Sequence, residues 1–275
     1  MKNFKLLIGL GILFLLIAMG FLLYPTVSNI INDIGNESKL ASYSERVSSL
    51  DKEEEDSILQ EAKDYNEHLS NVGDEDIDKT FDYDSILDID NGIMGSVEIP
   101  KINVKLPIYH GVDDETLEDG AGHMESTSFP IGGENTHSVI SAHTAYPGKV
   151  FFNDLPKLEK GDVFFVSVLD KKLEYKVCDI NIVDPNDDSL LGVQEDRDLV
   201  SLLTCYPYAV NTHRLIVTGE RVLNVSQEDM PEVVKDNSFT IILGISIAVA
   251  LVVIAIVVII LVKRKKGRKE GCNKS

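Results

Sequence analysis

Ser201-Leu202-Leu203-Thr204-Cys205-Tyr206-Pro207-Tyr208-Ala209-Val210-Asn211-Thr212-His213-Arg214 decides how the chain reads. An apolar run ends on a cysteine, turn-forming residues follow, and Arg214 opens a second apolar run that reaches Leu223. Short apolar runs bounded by turn residues predict buried strands. Two strands joined by such a loop pair antiparallel, which brings Cys205 and Arg214 to one end of a sheet. Working outward, residues 96–99, 104–109, 138–141, 162–169 and 172–183 are further strand candidates, the last two a hairpin around Asp170-Lys171. Some seven strands punctuated by turns predict a mainly β fold, a barrel or a sandwich.

Upstream, residues 32–70 contain no proline and only Gly35. Leu40, Tyr43, Val47 and Leu50, then Ile58, Ala62, Tyr65 and Leu69, recur at helical spacing. They predict one broken or two amphipathic helices packed on the strands, with Lys52-Glu53-Glu54-Glu55-Asp56 as a solvated face. Residues 71–91 form an acidic connector whose aromatics are Phe81 and Tyr83. A loop of that length points to a lid, a binding loop or a linker.

Composition frames these elements. The 275 residues are 44% hydrophobic and 26% charged, which excludes a disordered chain. The net charge of −19 would repel phosphates and argues against a nucleic-acid partner. The ends are basic, however. Lys2 and Lys5 precede an uncharged run at 6–24, long enough to cross the ~30 Å hydrocarbon core. Signal peptides have a shorter apolar core and a small-residue cleavage site. Here Ala18-Met19-Gly20 lies inside the run, so an uncleaved anchor is expected. A second apolar run, 239–262, stops at Lys263-Arg264-Lys265-Lys266. The positive-inside rule puts both basic ends in the cytoplasm and the intervening domain outside the plasma membrane. An apolar helix with a basic tail also resembles a wall-sorting signal, but Met230-Pro231-Glu232-Val233-Val234 lacks the Thr-Gly bond to be cut.

The chemistry rests on few residues. Of the cysteines 178, 205 and 272, only the first two lie in the exported part, so they either pair or leave a free thiol there. Histidines 68, 110, 123, 137, 143 and 213 are dispersed without metal-ligand spacing, and Asp184-Pro185-Asn186-Asp187-Asp188 reads as a polar turn. No metal or other cofactor is expected. His143 closes the apolar run Ser138-Val139-Ile140-Ser141-Ala142. Cysteine, histidine and arginine at strand ends suit acyl transfer: a thiolate attacks, an imidazolium protonates the leaving amine, and a guanidinium stabilises developing charge. His137 and His213 both follow Asn-Thr, and pattern alone could promote either one. Cys178, in the middle of a strand, reads as a small buried side chain.

These residues resemble the sortases, and specifically their class C, pilus-assembling branch. Ser201-Leu202-Leu203-Thr204-Cys205 is similar to that family's Thr-Leu-x-Thr-Cys signature, with serine in place of the first threonine. Cys205-Tyr206-Pro207-Tyr208 and Asn211-Thr212-His213-Arg214 resemble its class C continuation. So do Gly92-Ile93-Met94-Gly95, Ile99-Pro100-Lys101-Ile102, Leu106-Pro107-Ile108-Tyr109-His110-Gly111 and the segment 130–143 ending in His143. The resemblance runs from about Ile30 to Asn224. It implies a closed eight-stranded β-barrel with N-terminal helices. It implies Cys205 as nucleophile, His143 as general acid and base, and Arg214 as oxyanion or substrate stabiliser, leaving His137 and His213 structural. The implied reaction is cleavage of a Leu-Pro-x-Thr-Gly-like sorting signal between Thr and Gly through a thioacyl-enzyme. The acceptor would be a lysine amine of a pilin subunit, or in related enzymes a peptidoglycan-precursor amine. Class C relatives carry a lid with an aspartate and an aromatic. Asp78 and Phe81 are the candidates, although their spacing in Asp76-Ile77-Asp78-Lys79-Thr80-Phe81 departs from the family's.

The expected organisation is therefore a cytoplasmic N-terminus (1–5), a membrane helix (6–24), a helical segment with a possible lid (25–91) and a catalytic barrel (92–225). A linker (226–238), a second membrane helix (239–262) and a basic cytoplasmic tail (263–275) complete it. A reading from another class is a barrel that has lost activity and serves as a binding or scaffold ectodomain.

Overall fold

A computed structural model describes residues 2–72 and 80–223, together with Gly244. The expected second membrane helix at 239–262, apart from Gly244, and the lid candidate Asp78 lie outside the described residues. The chain divides into two units: Met1–Val27 with Lys235–Ser275, and Ser28–Val234, which holds the barrel. Helix α1 (Lys2–Ser49) runs on through Pro25, past the expected end of the apolar helix at Tyr24. Among the described residues, the stretch from Gly9 is the one helix long and apolar enough to cross a membrane.

The break between the helices has a local cause. Asp51 caps α2 (Lys52–Val72): its Oδ1 accepts from Glu54 N at 2.9 Å, and Glu54 Oε2 accepts from Asp51 N at 3.2 Å. This reciprocal pair satisfies two otherwise orphaned donors. Glu53, Glu54 and Glu55 occupy the first turn, where acidic groups complement the helix dipole. The charge run read as a solvated face is thus also the start signal of a helix.

The buried face of α2 carries Leu59, Ala62, Tyr65, Asn66 and Leu69. Ala62, Tyr65 and Leu69 are buried as the spacing predicts, whereas Ile58 is only partly buried and Leu59 takes the buried position beside it. Two hydrogen-bond clasps tie the helices down. The Tyr43 hydroxyl of α1 donates to Met94 O at 3.0 Å and accepts from Leu169 N at 2.8 Å, and burial pushes its pKa up to about 12. Asn66 of α2 donates to Phe129 O at 3.0 Å and accepts from Phe129 N at 2.7 Å.

Eight strands among the described residues close into a barrel. They are β1 (Ile93–Ile99), β2 (Val104–His110), β3 (Ala121–His123), β4 (Thr136–Ser141), β5 (Val163–Val168), β6 (Lys171–Val183), β7 (Asp198–Tyr206) and β8 (His213–Arg221). The order around the barrel is β1-β2-β3-β4-β7-β8-β6-β5. The pairs β2·β3 and β4·β7 are parallel and the others antiparallel. Closure removes the exposed edges that an open sheet would leave. Strand β3 escapes a sequence reading because it is only Ala-Gly-His, with no β-branched run. It follows helix α3 (Asp114–Asp119), which Asp113 caps through Thr116 N.

Residues alternate between the two barrel faces. Val200 and Leu202 of β7, Ile140 and Ala142, and Leu215 and Val217 of β8 point into the main core, which Tyr43, Leu59, Ala62, Tyr65 and Leu69 of the helices also join. Each Val, Leu or Ile among them contributes about 1.5–3 kcal/mol on full burial. The intervening residues Val139, Leu203 and Ile216 form a second, smaller cluster with Met124, Val183 and Leu191 on the outer face. That outer face positions the site.

Candidate active site

Strand register aligns the outer-face residues of β4, β7 and β8 in rungs. Val139 pairs with Ser201 and Ser201 with Thr218; Ser141 pairs with Leu203 and Leu203 with Ile216. Directly paired residues on neighbouring strands share a face. One rung further on, Cys205 is paired with Arg214. His143 lies two residues beyond Ser141, as Cys205 lies two beyond Leu203, so the same register carries His143 level with Cys205. The Ala142 N–H donates to Leu203 O at 3.1 Å, which extends the β4–β7 ladder past its last paired residue toward His143. Cys205 and Arg214 are therefore directly paired on β7 and β8, and His143 follows the end of β4 on the other side of β7. Neighbouring strands stand about 4.8 Å apart, so a reacting group over the sulfur has the paired Arg214 within reach. All three are half-buried, with solvent access for a substrate.

Thr204, the residue before the cysteine, points inward. Its hydroxyl donates to Ala142 O at 2.7 Å and is fully buried. It fastens the backbone immediately before His143 to the backbone immediately before Cys205. The apolar run made Thr204 visible only as strand, so this function was missed from sequence.

The loop after His143 is closed at its base. Phe152 N donates to His143 O at 3.0 Å, and Ala145 N, in a residue with φ +58°, donates to Asn153 Oδ1 at 3.0 Å. Within the loop, Tyr146 stacks on the His143 imidazole, centroids 5.3 Å apart at 21°. A tyrosine three residues past a histidine gives little sequence signal, and the contact exists only through the loop's path.

The remaining histidines are placed elsewhere. His137 is fully buried on the outer face. Its Nδ1–H donates to Gly192 O at 2.9 Å, and Nε2 accepts from the Ser201 hydroxyl at 2.8 Å, leaving the Thr218 hydroxyl to donate to Ser201 Oγ, also at 2.8 Å. Burial pushes the His137 pKa down, opposed by the Gly192 carbonyl. The bond to Gly192 ties the β6–β7 loop, residues 184–197, to the sheet that carries Cys205. His213 is exposed and bonded to its neighbour Thr212. His123 is fully buried: Nε2–H donates to Ser128 O at 2.9 Å, and Nδ1 lies 3.0 Å from the Tyr83 hydroxyl oxygen. Burial drives its pKa down to about 3.

Cys178 and Cys205 are both free thiols, which resolves the alternatives the cysteine count left open. Cys178 sits at the β6 bulge between Val177 and Asp179, half-buried rather than in the core, and donates to Thr218 O at 3.4 Å. Phe81 packs edge-on against α2, 5.4 Å from Tyr65 and 5.6 Å from His68. Next to it, Tyr83 holds the segment to the barrel by donating to His123 O at 2.9 Å and accepting from Gly111 N at 3.1 Å. Among the described residues, no group of three His, Cys, Asp or Glu side chains is arranged to hold a metal ion.

Comparison with known proteins bears on the fold and the family. A family model described as a sortase domain matches residues 97–222. Sortase D of Bacillus subtilis is 35% identical over 131 residues, covering 46% of this chain and 63% of the relative. Sortase A of Streptococcus agalactiae is 28% identical over 132 residues, covering 46% and 52%. The chain thus spans between about half and two thirds of the length of these curated relatives. Solved structures match over nearly their full length. Sortase C1 from Streptococcus agalactiae is 41% identical with a TM-score of 0.64, covering 67% of this chain and 98% of that one. Clostridium perfringens sortase C, solved with the C-terminal cell wall sorting motif, is 44% identical with a TM-score of 0.62 and the same coverages. With the closed barrel and these relatives in agreement, the chain belongs to the sortase family, whose members are cysteine transpeptidases, in its class C branch.

Proposed function

We propose that the chain cleaves a Leu-Pro-x-Thr-Gly-like sorting signal and joins the freed threonine carboxyl to a lysine amine of a pilin subunit. The observation that carries this reading is the register that pairs Cys205 with Arg214, on the strand next to the one that ends two residues before His143. The Cys205 thiolate attacks the threonine carbonyl, and Arg214 faces the oxyanion as it develops. The C–N bond to glycine breaks as the His143 imidazolium passes its proton to the leaving amine, which leaves a Cys205 thioester. A neutral lysine amine then attacks the thioester. His143 takes up the proton, the C–S bond breaks, and an isopeptide bond and the free thiolate result.

Relatives support the acceptor and the setting. A matching Streptococcus pneumoniae sortase C structure is described in terms of pilin substrate specificity. The long apolar helix from Gly9 supports a membrane anchor, with residues 6–24 and 239–262 as the two spans, the barrel extracytoplasmic and both termini cytoplasmic. Asp78 and Phe81 remain the lid pair of this reading, with Phe81 seated on α2.

Incubating the full chain in detergent micelles with a sorting-signal peptide, a lysine-bearing peptide and a peptidoglycan-stem amine tests this. Mass spectrometry is expected to show a thioester on Cys205, absent in Cys205→Ala, that resolves onto lysine. Resolution onto the stem amine alone would make the enzyme a wall-anchoring sortase. No acyl-enzyme at all would leave a binding ectodomain.

A further inference from the structure

We propose that Tyr146 is a positioning residue for His143, and that helix α1 holds Tyr146 in place by clasping the carbonyl of Gly148. This inference rests on His143 acting as the general acid and base of the proposed reaction.

His143 sits where regular β4 pairing has ended, so the strand alone does not fix its ring. The Tyr146 ring lies nearly parallel to the imidazole, an offset aromatic pair that restricts the histidine's side-chain torsions. The same face favours the imidazolium that forms during the reaction. Tyr146 is itself held from behind. The Lys149 ammonium lies 5.6 Å from the centre of its ring and 5.8 Å from that of Phe151, and donates to Glu118 O at the end of α3. The Tyr146 hydroxyl interacts with the Glu118 carboxylate, which pushes the phenol pKa up.

The far end of the loop is fastened to a different element. Ser28 Oγ and Asn32 Nδ2 each donate to Gly148 O at 2.7 Å, so both acceptor positions of that carbonyl are used. Ser28 and Asn32 lie one turn apart on α1 and so share a face. Gly148 has φ +76°, a conformation that favours glycine and turns its carbonyl toward the helix. Ser28 follows the apolar run that ends at Tyr24 by four residues. Neither donor has a role in the chemistry, and two side chains converging on one loop carbonyl more than a hundred residues away is a specific tether. The turn between Gly148 and Tyr146 is closed by Lys149 N donating to Tyr146 O at 3.3 Å, so the tether on Gly148 reaches the Tyr146 ring, and through it His143, along the loop backbone.

The test uses the full chain in micelles and separates binding, chemistry and fold. Thioester formation and transfer to a lysine peptide are measured for wild type, Tyr146→Leu, Tyr146→Phe and Ser28→Ala/Asn32→Ala. Melting temperature and Cys205 alkylation by a small thiol reagent are measured alongside. Tyr146→Leu is expected to lower kcat about tenfold, since small displacements of a catalytic group are costly, with KM, alkylation and melting near wild type. Tyr146→Phe keeps the ring and is expected to retain kcat within about threefold. Ser28→Ala/Asn32→Ala is expected to lower kcat in the same direction without changing KM. Wild-type kcat in Tyr146→Leu would overturn the positioning role, and wild-type kcat in the double variant would overturn the tether. Should Tyr146→Leu fail to fold, the double variant, altered outside the loop, still decides. Absence of a thioester in the wild-type chain would instead sink the proposed reaction itself, a result distinct from either.

Discussion

Replacing Asn66 by alanine tests how α2 is held to the barrel. The Asn66 side chain is 5% exposed and engages both backbone groups of Phe129, itself fully buried, at 3.0 and 2.7 Å. Alanine strands one N–H and one C=O at once. Each buried group left unpaired costs about 1–3 kcal/mol, so Asn66→Ala is expected to lose about 2–6 kcal/mol. For a domain of this size, that corresponds to roughly 5–20 °C in melting temperature. Asn66→Asp retains an acceptor for Phe129 N but sets a carboxylate oxygen against Phe129 O, so it should also destabilise. The assay is urea unfolding of the full chain in micelles, with hydrogen exchange at the Phe129 amide as the local readout. Asn66→Ala unfolding within about 0.5 kcal/mol of wild type, with Phe129 still protected, would refute the claim that this pair of bonds docks the helix.

Three further outcomes follow from the packing and the buried histidines. A Cβ at Gly219 would sit 2.5 Å from Phe164 Cε1 and 2.6 Å from Cζ inside the barrel, so Gly219→Ala is expected to cost about 1–3 kcal/mol. Phe164→Leu in the same chain should recover part of that, as a denaturation cycle would show. His123 has its folded pKa depressed to about 3 from 6.5, so between these values the unfolded chain binds a proton that the folded chain refuses. Its contribution to stability is therefore lost as pH falls from 6.5 toward 3, with a slope of up to about 1.4 kcal/mol per pH unit. Urea midpoints measured from pH 4 to 8 should show this slope shrinking in His123→Gln. His137→Phe removes the bonds to Gly192 and Ser201, and amide exchange across residues 184–197 should quicken about fivefold or more. Unchanged exchange there would show that the loop is held by other contacts.

The strands with long apolar runs were legible because their periodicity is a local property of the chain. Residues 138–141, 162–169, 172–183 and 199–203 all fall within observed strands or one residue from their ends. Strand β3 was not, since three small or polar residues become a strand only when β2 and β4 present their edges to it. The break between the helices was legible from the spacing, but its cause was not. Asp51 and Glu54 carry the capping pattern in plain view, but the surrounding charge run made a solvated face the simpler account. On α2, Leu59 and Asn66 were overlooked as buried positions because a polar side chain such as Asn66 earns burial only through a partner, Phe129, far away in sequence.

The sequence by itself determined which residue types could do acyl transfer and that Cys205 and Arg214 close on one another. A loop of eight residues between two apolar runs leaves antiparallel pairing as the short connection, and that pairing is observed. It also determined that both ends are apolar and basic. Only the tertiary structure decided that β4, which ends two residues before His143, lies beside β7. It precedes Cys205 by more than sixty residues and meets β7 through a parallel register that no local pattern encodes. The same holds for the separation of His137 from His143. Both histidines close an Asn-Thr or apolar stretch in the sequence, yet the fold leaves His137 locked beneath a loop and His143 half-buried against Tyr146. Where each histidine ends up depends on long-range strand order and register, and those are set by the core that the whole barrel shares.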